Sequence, residues 1–385
     1  MKASIVIPTF NNRELIEPCL LSLNHQILDS SIHFEVIVVD DGSTDGTGPL
    51  IASLDLNYEL RYSYINRKSG SSRSQARNIG INLAQGDVII FLDGDQVVDL
   101  GFVKEHLRIH QVRDDLAVIG LRKYLSKGKV DIDKIRSGLI TDALPRVEQH
   151  DERWNLLNRF SENLFNIKTA WHLFMTCNVS VRKEHLVAVG CLDEGFLNWG
   201  LEDCELGYRL SQIGIKFVYG RNALVYHQYH ASDFDEKRYL EWLENFKYFQ
   251  SKHPVIEVAA QNALIDFFDP KVRKSWLSCY LRFEFAIRAI KGRIPEAQKI
   301  SILEVTAQEE INIIDLIKAE AAKGNVVVID ESDQDHLDIE VQCLEPQNEI
   351  LYFKASDDKR KLEIYQLLIN QGVYPHLNII NKGRY

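Results

Sequence analysis

Over the first 230 residues, short apolar runs end in polar, glycine-bearing turns and then give way to helical spacing. Ser4 to Ile7 is a run of this kind, stopped by Pro8 and followed by the polar Thr9-Phe10-Asn11-Asn12. Asn11 or Asn12 can cap a helix over Arg13 to His25, where Leu15, Ile16, Cys19, Leu20 and Leu23 share a face. Phe34 to Val39 predicts a second strand that runs into Asp40-Asp41-Gly42-Ser43-Thr44-Asp45. A third strand is predicted near Arg61 to Ile65. The flexible stretch Ser69 to Ser74 then opens a helix running to Ala84. Val88 to Leu92 is uniformly apolar and reads as a buried fourth strand. Strands alternating with helices predict an α/β fold with a mainly parallel, doubly wound sheet.

The pattern continues with a helix over Leu100 to Gln111 and a strand over Leu116 to Leu121. Asp131 to Arg159 is polar and long for a plain loop, which predicts helices or a mobile lid. Phe174 to Val181 reads as a strand and Lys183 to Val189 as a short helix. A helix then starts near Glu202-Asp203, with Leu206, Leu210 and Ile213 on its inner face. Two strands follow, at Lys216 to Tyr219 and Ala223 to Tyr226, the second ending in His227-Gln228-Tyr229-His230. Beyond Asp233 come two aromatic helices, Glu236 to Gln250 and Trp276 to Ile290; the second reads first as packing against the preceding domain, while its mixed aromatic and basic content would also suit a membrane surface. The remainder predicts a small α/β unit with strands at Val326 to Ile329 and Ile350 to Phe353 and a helix at Lys359 to Asn370. Its Asp330 to Asp335 reads as a solvated acidic loop, and no internal repeat shows in the sequence. The expected division is therefore 1–232 as a catalytic domain, 233–293 as a helical extension and 294–385 as an accessory α/β unit.

Composition narrows the function classes. With 45% hydrophobic residues in 385, a sizeable core is available. A net charge of −10 argues against non-specific nucleic-acid binding, so no nucleic-acid partner is expected. The six cysteines form no C-x-x-C pair and fit no zinc spacing, so they read as reduced thiols. The N-terminal apolar run is broken by Pro8 too early for a signal peptide, and no stretch reaches the roughly 18 uncharged apolar residues of a spanning helix. The expected location is cytoplasmic, with peripheral contact to the inner membrane face or to an assembly complex left open. Asn178-Val179-Ser180 matches a glycosylation sequon that such a location would not use.

Candidate chemistry centres on Asp93-Gly94-Asp95. A buried strand cannot hold paired aspartates inside it, so both stand at its C-terminal end, where open α/β sheets bind ligands. Two close carboxylates repel, and a hard divalent cation relieves the repulsion. Taken alone the pattern is an ordinary polar turn. A second carboxylate pair, Glu202-Asp203, follows the Asn198-Trp199-Gly200-Leu201 turn, where the helix dipole stabilises acidic residues. Trp199 suits both a sugar-stacking platform and core packing.

Four blocks, Ser4 to Asn12, Val36 to Asp45, Ala76-Arg77-Asn78-Ile79-Gly80 and Asp93-Gly94-Asp95, resemble in order and spacing the signature of family 2 glycosyltransferases with the GT-A fold. Asn198 to Asp203 and then His227 resemble the second half of chondroitin-polymerase-type and galactosyltransferase-type enzymes. The resemblance covers Lys2 to His230. It implies that Pro8, Thr9, Asp41, Arg77 and Asp93 hold the donor nucleotide, with Asp41 at the uracil edge. It implies Asp95 and His227 as ligands of Mn²⁺ or Mg²⁺, with His230 the local rival of His227. Asp203 is then the base, Glu202 its partner on the acceptor, and Trp199 with Gly200 the acceptor platform. Arg73 and Arg77 could pair with the diphosphate, although Arg77 also suits a solvated helix face. One departure stands out: Leu201 occupies the place of a second glycine in the related motif.

The expected function is an inverting, metal-dependent transfer of a sugar, galactose or N-acetylhexosamine favoured, from a UDP-sugar to a glycan, lipid-linked or peptide acceptor in polysaccharide or glycoconjugate synthesis. One alternative is a catalytically silent nucleotide-sugar-binding scaffold of a polysaccharide assembly complex. A nucleotidyltransferase would share the acidic site, but it usually wants a glycine-rich, basic phosphate loop, and Pro8-Thr9-Phe10-Asn11-Asn12 is not one.

Overall fold

A computed structural model describes residues 1–68, 72–160, 162–230, 235–291, 300–305, 313–332, 337–342, 344, 350–355, 361 and 378–381. The chain divides into two units. Unit 1 comprises Met1–Asn155 and Thr169–Ile287; unit 2 comprises Leu156–Lys168 and Arg288–Tyr385.

Unit 1 is built on a nine-stranded sheet. Its strands are β1 (Lys2–Thr9), β2 (His33–Asp40), β3 (Glu59–Tyr64), β4 (Val88–Leu92), β5 (Gln96–Val98), β6 (Leu116–Leu125), β7 (Val147–His150), β8 (Asn178–Arg182) and β9 (Lys216–His227). The order is β3-β2-β1-β4-β8-β6-β9-β5, with β7 on the far part of β6. The first four strands are mutually parallel, and β6 and β9 run with them; β5, β7 and β8 run against. The sheet is thus mainly parallel, as the alternation predicts. Ile5, Ile7, Val36, Val38, Val88, Ile90 and Leu92 enter one core with Ile16, Cys19, Leu20 and Leu23 of the helix Arg13–Leu23. Each such large side chain, fully removed from water, contributes about 2 kcal/mol. This core fixes the C-terminal strand ends on one side, which is where Thr9, Asp41 and Asp93 emerge.

Two expectations for this unit are corrected. Lys216 to Tyr226 is one strand, not two. Gly120 pairs with Gly220 but Leu121 pairs with Leu224, so Arg221, Asn222 and Ala223 form a bulge that reads in sequence as a break. Buried Asn178 staples that bulge, donating to the Leu121 and Ala223 carbonyls at 3.0 and 2.8 Å. A Cβ on Gly120 would fall 2.4 Å from the Asn178 side chain, so only glycine fits there. The same burial rules out the sequon at Asn178. The predicted strand over Phe174 to Val181 begins only at Asn178, because Ala170–Leu173 turns as a 3₁₀ helix. Over Asp131 to Arg159 the chain forms short helices, Ile132–Arg136, Ile140–Ala143 and Arg153–Arg159, together with β7. The helices Glu236–Lys252 and Trp276–Lys291 bury Trp242, Phe246 and Phe249, and Trp276, Tyr280 and Phe283. Among the described residues no helix is long and apolar enough to cross a membrane.

Unit 2 carries a second, fully parallel sheet of β10 (Ile300–Val305), β11 (Asn325–Asp330), β12 (Ile350–Lys354) and β13 (Asn378–Asn381), in the order β12-β11-β10-β13. β10, β13 and the helix Ile313–Ala321 are absent from the sequence reading. The helix expected at Lys359 to Asn370 lies outside the described residues, Lys361 excepted. Asp330 is not in a solvated loop. It ends β11 and is fully buried, accepting from the Tyr352 hydroxyl, the Ser332 amide and the Lys354 ammonium.

Candidate active site

The Asp93-Gly94-Asp95 turn leaves β4, whose residues are all fully buried, and leads into β5. β5 pairs with the end of β9, placing Gln96 opposite His227. The Gln228 amide donates to the Asp95 carbonyl at 3.0 Å. Backbone pairing therefore brings the aspartate and the strand-end histidine together across 132 residues of chain, 227 minus 95. Nε2 of His227 lies 3.5 Å from Asp95 Oδ2, and Nε2 of His230 lies 3.2 Å from it. One ligand atom from each of Asp95, His227 and His230 falls within 4.8 Å of the others. Asp95 Oδ1 is buried with no hydrogen-bond partner. One carboxylate, two imidazoles and an unsatisfied buried oxygen fit a divalent cation. His230, the rival of His227, joins it rather than replacing it. Burial alone would raise the Asp95 carboxyl, but the His230 hydrogen bond and the His227 and His230 charges overturn this and hold it low. Burial pushes the His227 imidazole below its usual range, which favours the neutral, metal-binding form.

A second group of the candidate residues gathers where β1 and β2 end. Asp40 is bound into the scaffold by the Tyr62 hydroxyl at 2.6 Å and the Ser43 amide at 2.7 Å. Asp41 turns the other way. Its amide donates to the Thr9 carbonyl at 2.9 Å and its carboxylate meets Arg67 at 2.5 Å. The Arg67 guanidinium lies 4.0 Å above the Phe10 ring. The hydroxyl of Thr9 is buried without a partner, and Pro8 sits inside β1 opposite Val39. Sequence reading missed Arg67, because it stands outside every block and meets Asp41 only through the fold.

Arg77 is not on a solvated face. Its side chain is 4% exposed and lies between the two carboxylate pairs. One nitrogen donates to Asp93 at 2.8 Å, and another stands 3.9 Å from Glu202. Nε and Nη1 have no hydrogen-bond acceptor. Burial is the strongest influence on Glu202 and pushes its carboxyl up; Asp203 adds to the rise and Arg77 opposes it. Asp93 is raised in the same way, by burial against the pull of Arg77 and with the charge of Asp95 added. Glu202 begins the helix Glu202–Gln212, and its Oε2 is buried and unpartnered. Asp203 accepts from the Thr176 amide at 3.3 Å and from its neighbour Cys204 at 2.8 Å. Asp93, Arg77 and Glu202 thus meet, as do Asp95, His227 and His230. Trp199 and Gly200 lean the other way, toward the helix Glu236–Lys252. Arg238 lies 5.7 Å from the Trp199 ring centre, and Asn245 donates to the Gly200 carbonyl at 2.6 Å.

Residues 4–190 match the family described as Glycosyl transferase family 2, and residues 159–231 match the N-terminal domain of galactosyltransferase. Residues 4–190 of the chain belong to glycosyl transferase family 2. It is 31% identical over 263 residues to the uncharacterized glycosyltransferase YfnE of Bacillus subtilis, covering 60% of this chain and 66% of that one. It is 32% identical to the hyaluronan synthase of Pasteurella multocida and 30% to the chondroitin synthase of Escherichia coli, each over 58% of this chain but only 24% and 34% of theirs. The chain thus spans less than two thirds of each of these relatives.

The sheet order and the strand-end carboxylates give this glycosyltransferase its GT-A fold. Leu201 explains its own departure from the family pattern. It has φ 72°, in the left-handed region where glycine is at ease, directly after Gly200 at φ 91°. A buried side chain, 4% exposed, holds it there.

Proposed function

We propose that this glycosyltransferase moves a sugar, galactose or N-acetylhexosamine, from a UDP-sugar to a hydroxyl of a glycan acceptor, inverting the anomeric centre. The observation that carries this reading is the arrangement of the Asp95–His227–His230 cluster and the Asp93–Arg77–Glu202 bridge around one pair of neighbouring aspartates. The relatives named hyaluronan synthase and chondroitin synthase support a polysaccharide product.

Asp95, His227 and His230 would hold a divalent cation, which supplies Lewis-acid stabilisation to the departing diphosphate. The mixed nitrogen and oxygen donors suit Mn²⁺ better than Mg²⁺, which prefers oxygen alone. Thr9 and Asp41 receive the nucleoside, Asp41 at the uracil edge with Arg67 and Phe10 beside it. Asp93 and Arg77 orient the donor. Asp203 takes the acceptor proton, and Glu202 holds the acceptor next to it. One base facing one leaving group gives in-line displacement, so an α-linked donor yields a β-linked product. Trp199 and Gly200 form the acceptor platform, set by the helix behind them.

The test is turnover and binding across a panel of nucleotide sugars, with and without Mn²⁺, on wild type and Asp95→Ala. Metal-dependent turnover of one UDP-sugar, lost in the variant, is expected. A folded protein that binds no nucleotide sugar would sink the transferase reading.

A further inference from the structure

One cation of the site has no role in the mechanism above. Arg122 lies on β6, two residues before Tyr124, so both side chains leave the same face of the strand. Tyr124 stands opposite His227 in the β6–β9 ladder, and their rings are 5.0 Å apart. The Arg122 guanidinium is 4.9 Å from the Tyr124 ring centre. Arg122, Tyr124, His227 and Asp95 therefore form one line of side chains ending at the candidate metal ligands. The Arg122 charge reaches Asp93, Asp95 and His227.

Its own hydrogen bonding is incomplete. The side chain is 13% exposed, and Nε is buried without an acceptor. Asp151 stands at 3.6 Å and Glu152 at 3.8 Å, both beyond hydrogen-bond range. Asp151 is already taken: Nε and Nη2 of Arg153 both donate to its Oδ2, at 2.9 and 2.5 Å. A buried guanidinium with an unmade bond is costly alone and favourable once an anion arrives.

We propose that Arg122 binds the terminal phosphate of the nucleoside diphosphate, on the metal-ligand side of the cleft. As the bond between the anomeric carbon and the phosphate oxygen breaks, its electron pair stays on that oxygen. Arg122 then carries part of the new charge. Meanwhile the acceptor oxygen bonds the anomeric carbon, and its proton passes to Asp203. The position beside Asp95 and His227 favours a phosphate over a carboxylate on the transferred sugar.

This inference rests on the donor reading above, and calorimetry on the full chain separates the two. Uridine, UMP and UDP are titrated in Mn²⁺ into wild type, Arg122→Ala and Arg122→Lys, with melting curves to confirm folding. Arg122→Ala is expected to weaken UDP by about 10- to 100-fold and to leave uridine and UMP within about twofold, with Arg122→Lys between. Should the alanine variant unfold, the lysine variant carries the same comparison. Equal weakening of UMP and UDP, or none, would overturn the assignment and leave Arg122 a structural partner of Asp151. Wild type that binds none of the three ligands would overturn the donor reading as well.

Discussion

Two corners of the molecule are built alike, and only one has the makings of a site. In unit 1, β2 ends at Asp40, which accepts from the Tyr62 hydroxyl and the Ser43 amide. In unit 2, β11 ends at Asp330, which accepts from the Tyr352 hydroxyl and the Ser332 amide. Each tyrosine stands opposite the residue two places before its aspartate. The following amide donates to the end of the preceding strand, Asp41 to Thr9 and Glu331 to Val305. Each following carboxylate meets a cation, Arg67 or Lys361. Even the orders match: β3-β2-β1-β4 against β12-β11-β10-β13. The difference lies in what is left over. Unit 1 keeps buried, unpartnered atoms on Thr9, Arg77, Asp95 and Glu202, whereas among the described residues of unit 2 no buried side-chain polar atom lacks a partner. The aspartate and tyrosine are therefore scaffold. Unsatisfied atoms also lie deeper in unit 1, on Ser74, His110, His172 and Gln261; those at the strand ends, costly to bury alone and gathered beside the carboxylate pairs, mark the candidate site.

Substitutions can break this contrast. The largest effect is expected from Asp95→Ala: on the proposed metal reading turnover falls by about 10³-fold or more while the melting temperature holds, since one of its carboxylate oxygens has no partner in the fold to lose. Asp330→Ala should do the reverse. Removing a buried acceptor of four donors, the Tyr352 and Ser332 hydroxyls, the Ser332 amide and the Lys354 ammonium, should cost about 2–4 kcal/mol in urea melts, with UDP affinity unchanged; a loss of UDP affinity would end the comparison. The buried pair His106 and His110 tests unit 1 as scaffold, because burial pushes them down to about 4 and about 3. Both stay neutral when folded and protonate near 6.5 when unfolded, so their stabilisation is present above pH 6.5 and is lost as pH falls toward 4. On the order of 3 kcal/mol for His106 is expected to go by pH 4, and His106→Gln should flatten that slope in urea midpoints. The smallest effect is the most direct swap. Thr9→Val puts the residue type of Val305 into unit 1. It should leave stability equal or higher, since an unpartnered hydroxyl is removed, and weaken UDP by roughly 3- to 10-fold in calorimetry.

Local patterns made much of unit 1 legible. β1, β2 and β4 are apolar runs with abrupt polar ends, and Asp93-Gly94-Asp95 and Glu202-Asp203 sit beside the elements that aim them. What escaped depends on distant pairing. The β9 bulge is held by Asn178, which is 45 residues from its Ala223 partner. Arg67 and Arg122 carry no motif, and their positions depend on Asp41 and on the β6–β9 register. For Arg77 the sequence leaves both a diphosphate partner and a solvated face open, and only the fold, closing Asp93 and Glu202 around it, removes the second. In unit 2 the apolar residues of β10 are broken by Ser301 and Glu304 and β13 is only four residues long, which hid an architecture whose residues do not repeat although its hydrogen bonds do.

The turn at Gly200-Leu201 behaves as a preloaded latch. A left-handed leucine costs about 1–2 kcal/mol, and burying its side chain returns about as much. The two opposed forces leave a stiff catch, and the neighbouring carbonyl is pinned by Asn245. A glycine at 201 would relax the catch from both sides at once, removing the strain and the anchor together. The helix that begins at Glu202 would then rely for its starting angle on the Asn245 bond to the Gly200 carbonyl. Mechanical stiffness, rather than charge, is what this leucine adds to the enzyme.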